Sequence, residues 1–402
     1  MKYIVILGDG MAGLPIESLG GRTTLQAANK PAIDELATRG QSGMLNTVPA
    51  GYAPGSEIAN LAVLGYDLDE VFEGRGSLEA ASMGVEIEEG EMAMRCNLIC
   101  IEDGKIKNHS AGHISTEEAG ELIEYLQQEL GDESISLYTG VSYRHLLKMR
   151  GGNKELECTP PHNVPGTPFD EVMIKAMNDS AVETAERLNE LTLRSQELLN
   201  NHPINIKRVA EGKDPANSIW LWSPGYKPAM PKLSDIYPIE SGSVISAVDL
   251  IKGIGVYAGL QPIDVEGATG LYDTNYEGKM EAALEALRTQ DFVYLHVEAS
   301  DEAGHEGDSA LKIKTIENLS ERIVRPIMDA AKSIEGGLRI ALLPDHPTPC
   351  ELRTHTSDAV PFVIYDPEWS GDDVNVYDEE SAKGGAFGEL KGDEFIKLLF
   401  TK

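Results

Sequence analysis

The chain predicts an α/β protein: a core sheet with helices on both faces, interrupted by an inserted α+β domain. Apolar, strand-like runs at 2–8 (KYIVILG), 291–299 (DFVYLHVEA) and 339–344 (RIALLP) each lead into Asp or His residues. Open α/β sheets hold their ligands beyond the carboxyl ends of strands, so these residues stand where a site belongs. The first run and the last two lie far apart in sequence but carry the same kind of chemistry, so residues 1–76 and 243–402 are expected to form one domain. Residues 77–242 then form the insertion.

The first strand ends in Asp9. Its continuation GDGMAG satisfies a Gly-x-Gly-x-x-Gly pattern from Gly8 to Gly13, but a dinucleotide site needs a helix at once, and here Pro15 and Gly20–Gly21 come first. Helical character follows at 23–40, and a second helix is expected from Glu57 to Leu64, after Pro54 and Gly55 break the chain. The insertion contains a strand-like stretch at 92–101, helical stretches at 116–130 and 183–202, a Gly/Pro-rich loop at 151–168 and a strand-like stretch at 218–225. Glycines near 74–76 and 240–242 mark its joints. Helix and strand alternate again from 243 onward, with no repeat or low-complexity tract.

Asp301 and His305 in SDEAGHEGD, with Asp345, His346 and His355 in LLPDHPTPCELRTHTSDAVPF, are the candidate ligands. Singly, each has an ordinary structural reading. Asp301 and His305 are spaced as a surface pair on a helix, and Asp345-His346-Pro347 reads as a turn. Together, after buried-looking strands, they form a mixed carboxylate and imidazole set suited to divalent ions of the Zn or Mn kind. Five are too many for one closed tetrahedral site. A two-metal centre fits better, and such centres carry out phosphoryl chemistry by holding both the attacking and the leaving oxygen. Ser56 is the candidate nucleophile, standing at the N-cap position of its helix, where the dipole favours an anion.

Asp9, the GSE around Ser56, Asp301-x-x-x-His305, Asp345-His346 and THTSDAVPF resemble the metal and nucleophile set of the alkaline-phosphatase superfamily. Within it, GGRTTLQAANKPAIDELATRG, GRGSLEAASMG, AMRCNL, SAGHISTEEA, HPIN, GATGLYDTNYEGK and DHPTPCE resemble the shorter, archaeal-type branch of the cofactor-independent phosphoglycerate mutases. The resemblance implies an alkaline-phosphatase-like core sheet, a phosphoserine at Ser56 and no requirement for 2,3-bisphosphoglycerate. It implies two divalent ions (Mn, Zn, Co or Mg), one held by Asp9, Ser56, Asp345 and His346, the other by Asp301, His305 and His355. Lys279 would steady the transferring phosphoryl group. The expected activity is interconversion of 3- and 2-phosphoglycerate.

Substrate recognition is expected of the insertion. Arg75, Arg95, Arg144 and His162 are the candidates, because an arginine fork grips a carboxylate in bidentate fashion. Arg95, Asn97 and Arg75 also match the family pattern. His113 in SAGHIS stands where the mutases have an arginine, which weakens an anionic grip at neutral pH. Chains with that feature resemble a side branch proposed as homoserine kinases, so a homoserine kinase-like or phosphopentomutase-like transferase is the alternative. No Walker-type or protein-kinase signature is present. A non-catalytic metal-binding protein would lack a ligand or the nucleophile, and none is missing.

Lys and Arg number 34 against 66 Asp and Glu, a formal charge of −32. Such a surface excludes a nucleic-acid partner and repels anionic substrates unless a local cluster reverses the field, as two metals and a few arginines would. The expected partner is a small anionic phosphorylated substrate. Cys96, Cys100, Cys158 and Cys350 are too few and scattered for a disulfide framework. Cys96 and Cys100 should share one side of a strand as packed thiols. With no apolar run of about 20 residues and no signal-peptide pattern, a cytoplasmic location and no membrane association are expected.

Overall fold

The computed structural model describes residues 1–401. Met1–Phe72 and the chain from Ala229 onward form one compact unit, and Glu73–Pro228 forms a second. The joints thus differ from those expected at 76/77 and 242/243. The helix Arg75–Ser82 packs on the insertion's own strands Glu91–Glu102 and Ser218–Gly225. On the other side, residues 229–241 belong to the first unit: Pro231 accepts a hydrogen bond from Tyr66, and Leu233 donates to Ala258. Glycine signals a bend in the chain, not the unit that the next residues join.

The first unit is built on eight strands in the order Gln261–Ile263, Gly242–Ile245, Phe292–Val297, Lys2–Gly8, Leu338–Leu343, Val360–Tyr365, Gln41–Asn46 and Gly388–Lys391. Lys2–Gly8 runs parallel to both its neighbours, with Gly8 beside Val297 and Leu7 beside Leu343. Its run of apolar residues is what a strand covered on both faces requires. Seven strands point the same way, and only Val360–Tyr365 is reversed. Its amino end therefore lies on the same edge as the carboxyl ends of the others.

Helices cover both faces. Alternation along Phe292–Val297 aims Phe292, Tyr294 and His296 to one side. There Phe292 meets Phe400 of the helix Glu394–Phe400, and Tyr294 donates to Asn60 of the helix Ser56–Val63. On the opposite side Gly8 admits Leu319 of the helix Ser309–Leu319, which a Cβ would approach to 2.9 Å.

The second unit has an antiparallel sheet in which the long strand Glu91–Glu102 pairs with Arg144–Arg150, Ser218–Gly225 and Lys105–Asn108, while Ile135–Val141 pairs with Arg144–Arg150. Met92, Met94, Cys96 and Leu98 point into a core made with the helices Thr116–Leu130 and Val182–Asn200. Arg95 and Asn97 face the other way. Cys96 and Cys100 are both buried free thiols, with burial pushing the Cys100 thiol up to about 11. No helix among the described residues is long and apolar enough to cross a membrane.

Candidate active site

Asp9 follows directly on the central strand, and Asp345 and His346 follow on Leu338–Leu343. Asp301 lies in the first turn of the helix Ala299–Glu306, which starts two residues beyond Phe292–Val297, and His305 is one turn further along the same face. His355 belongs to the loop that leads into the reversed strand. Gly10 turns with φ +60 directly over Asp301. A Cβ there would lie 2.5 Å from both Asp301 Oδ1 and Thr348 Oγ1, so only glycine lets these strand ends converge. No helix opens directly on GDGMAG: a single 3-10 turn at Glu17–Leu19 comes first, and the next α-helix begins only at Thr24.

Ser56 departs from expectation by one residue. Gly55, in extended conformation, is the N-cap, and Ser56 is the first residue of the helix Ser56–Val63. Its hydroxyl makes no capping bond and lies 3.2 Å from His346 Nε2.

Around it the ligand-type atoms converge. His346 Nε2 is 3.4 Å from Asp345 Oδ2 and 3.7 Å from Asp9 Oδ1. His355 Nε2 is 3.4 Å from Asp301 Oδ1, and His305 Nε2 is 3.2 Å from Asp301 Oδ2 and 2.9 Å from His355 Nε2. Two sets, Asp9 with Asp345 and His346, and Asp301 with His346 and His355, have ligand atoms within 4.8 Å of one another. They share His346, so they adjoin.

Asp9 Oδ1 is buried and accepts no hydrogen bond. An orphaned carboxylate oxygen 3.7 Å from the His346 imidazole, among the buried carboxylates Asp9, Asp345 and Asp301, fits a divalent cation. The remaining polar atoms are held. Asp345 Oδ1 accepts from Gly10 and His346 main-chain N–H groups and Oδ2 from Asn60; Asp301 Oδ1 accepts from Thr348 at 2.5 Å. The Asp345 carbonyl accepts from Thr47, and the Asp9 carbonyl from Ser300.

The electrostatics are those of a site short of positive charge. Burial, with Asp345 and Asp301 nearby, raises the Asp9 carboxyl well above the usual carboxylate range. Burial pushes Asp301 up too, but hydrogen bonds from His305 and His355 outweigh it and hold the group well below that range. The same bond to Asp301 lifts His305 to about 9, whereas burial lowers His346.

Lys279, on the helix Tyr276–Thr289, is fully buried and donates to the His296 carbonyl at 3.3 Å. Burial brings its ammonium down to about 8. Glu298 is raised to about 8, by burial and by Glu302 and Asp301.

In the second unit, Arg95 and Asn97 pair across the sheet with Trp222, Trp220 and Arg144. The Arg95 guanidinium stacks 4.2 Å over the Trp222 ring and pairs with Glu79 at 3.0 Å. Arg75 and Arg144 are close enough to lower the Arg95 pKa after burial has done so first. Trp222 Nε1 donates to Asn97, and His162 packs edge-on to Trp222 at 5.5 Å. The result is a cationic, aromatic-backed face suited to an anion. His109 also lies here, 6.0 Å from His162 and 5.5 Å from Tyr143. His113 is exposed on the loop before Thr116–Leu130, and burial, with His113 nearby, lowers the His109 pKa.

Several site residues escaped sequence reasoning. Asn60 stands one helical turn from Ser56, a spacing that could have exposed it. Thr348 lies within the DHPTP motif. His296, Tyr294 and Ser246 carry no local signal.

A family model described as 2,3-bisphosphoglycerate-independent phosphoglycerate mutase matches residues 37–205. The chain is 50% identical to the protein of that name from Methanosarcina mazei, covering 99% of both, and 49% identical to one described as probable from Geobacter sulfurreducens, covering 100% of both. A solved protein from Pyrococcus horikoshii superposes with a TM-score of 0.83 at 29% identity, over 99% of this chain and 96% of that one. The cofactor-independent phosphoglycerate mutase of Thermoplasma acidophilum superposes at 0.69 and 26% identity over 99% of each chain. With near-complete coverage and half of all residues shared, the chain belongs to the 2,3-bisphosphoglycerate-independent phosphoglycerate mutases, a family of isomerases.

Proposed function

We propose that this protein interconverts 3-phosphoglycerate and 2-phosphoglycerate through a phosphoserine at Ser56, with two divalent metal ions as cofactors and no 2,3-bisphosphoglycerate. One observation carries the reading: Ser56 Oγ is free of capping duty and lies beside His346 within a cluster of carboxylates and imidazoles.

Bound divalent ions supply positive charge that favours an ionised serine and neutralises the phosphoryl oxygens. Asp9, Asp345 and His346, with Ser56, would hold one, and Asp301, His305 and His355 the other. His346 lies within reach of both sets.

The chain's own residues do the rest. Ser56 Oγ attacks phosphorus, the bond to the C3 oxygen of the substrate breaks, and that oxygen takes up a proton to leave glycerate. The C2 hydroxyl then loses a proton, attacks the phosphoserine and restores Ser56. Lys279, mostly protonated at neutral pH, supports the phosphoryl charge in transit. Arg95, with Arg75, Arg144, Asn97, His162 and His113, would retain the glycerate carboxylate between the two transfers, which keeps water from hydrolysing the intermediate.

The test is 31P NMR of purified, Mn2+-loaded protein given 3-phosphoglycerate and no nucleotide. Appearance of 2-phosphoglycerate supports the reading. Inert phosphoglycerate, with ATP-dependent phosphorylation of homoserine, overturns it.

A further inference from the structure

The imidazole of His296 is buried on the last turn of its strand, and its two nitrogens have different partners. Nε2 is 2.9 Å from Asp9 Oδ2, and Nδ1 is 3.0 Å from Ser246 Oγ. Ser246 Oγ already accepts from the Val248 main-chain N–H at 2.9 Å. An ionised Asp9 Oδ2 can only accept, so the proton of a neutral imidazole lies on Nε2, facing Asp9, and the bare Nδ1 accepts from the Ser246 O–H. A one-way chain results, from Val248 through Ser246 and His296 to Asp9 Oδ2. It leaves Oδ1 as the single unpartnered oxygen of Asp9, aimed at His346.

We infer that His296 and Ser246 are positioning residues that present Asp9 to a divalent metal through Oδ1 alone. This rests on the reading of Asp9 as a ligand. Groups that hydrogen-bond the far atom of a ligand fix its orientation and commonly change metal affinity by about 10- to 100-fold when removed. Asp9 is the carboxylate held by an imidazole that is not itself one of the candidate ligands; the imidazoles beside Asp301 and Asp345 are. Asp345 is oriented by main-chain N–H groups and Asn60, and Asp301 by Thr348. The device therefore acts on the Asp9 site and not on the Asp301 site.

The experiment is calorimetric titration of metal-stripped protein with Mn2+, resolving two sites, on wild type, His296→Leu, His296→Gln, Ser246→Ala and Asp9→Asn. His296→Leu should weaken one site by about 100-fold and Ser246→Ala the same site by about 10-fold, with the second site unchanged. His296→Gln keeps a donor toward Oδ2 and should recover most of the loss. Ser246→Ala removes one small group, so it decides the matter even where His296→Leu does not fold. Wild-type affinity at both sites in Ser246→Ala or in folded His296→Leu, with Asp9→Asn losing one site, overturns the positioning role and leaves the metal reading intact. A wild type that takes up no Mn2+ overturns both.

Discussion

Ser56 Oγ and His346 Nε2 stand 3.2 Å apart although the two residues are 290 positions distant in the chain. Because Gly55 takes the cap, the serine hydroxyl has no structural task in its own helix. Ser56→Ala should therefore leave stability within about 0.5 kcal/mol, as for a substitution that removes no cap, core atom or buried ion pair. Turnover should fall by several orders of magnitude, since the atom that takes the phosphoryl group is gone. Urea unfolding and a single-turnover assay check the two halves separately, and a folded variant with near-normal turnover excludes the covalent route.

Metal binding should expel protons. Hydrogen bonding to Asp301 keeps His305 protonated up to about pH 9 in the metal-free protein. Ligation needs the neutral ring, so at pH 7 each chain should release at least one proton as Mn2+ enters. Apparent affinity rises with pH and levels off above about 9. Titration heats in buffers of different ionisation enthalpy measure the release, and heats independent of buffer would contradict it.

Lys279 sets an alkaline limit. Its pKa of about 8 lies below the usual lysine value, so its charge is present at neutral pH and is lost as pH rises through 8. A rate that depends on that charge declines over the same interval. Lys279→Met should lower turnover by about 100-fold or more, in the range of other lost electrostatic donors. Lys279→Arg should move the decline to higher pH, because guanidinium stays charged there. A flat wild-type profile from pH 7 to 9 would rule out the role.

Arg95→Ala should uncouple the two transfers. With the glycerate held less firmly, more phosphoserine is lost to water, and inorganic phosphate should rise relative to 2-phosphoglycerate. Stability should fall as well, by about 1 to 2 kcal/mol, because the change removes the guanidinium that pairs with half-buried Glu79 and covers Trp222. Product ratios from 3-phosphoglycerate, measured on protein shown to be folded, separate the two effects.

The convergence of Asp9, Asp301, Asp345, His346 and His355 was legible because each sits at the end of an apolar run or within a short motif beside one. Strand direction was not: the apolar run Val360–Tyr365 reads the same either way, and only pairing with Leu338–Leu343 reveals the reversal. The cap was misplaced by one residue because glycine and serine are both good N-caps, and the choice falls to where Ser56 meets His346. His296 lies within the apolar run 291–299, which marks a buried strand and nothing more. Its partners Asp9 and Ser246 are 287 and 50 positions away, and nothing local in the sequence marks such a contact.

The central strand has a consequence for how the chain is made. Lys2–Gly8 is synthesised long before the two strands it hydrogen-bonds to, which begin only at Phe292 and Leu338. Throughout most of synthesis, an apolar ribbon therefore waits without its neighbours. Glu73–Pro228 is contiguous and complete long before that and can close its own sheet in the meantime, as units that fold during translation do. A nascent chain stopped short of residue 338 lacks one side of its middle strand and the Asp345–His346 pair that follows it, so chaperone demand should peak late in translation and end abruptly.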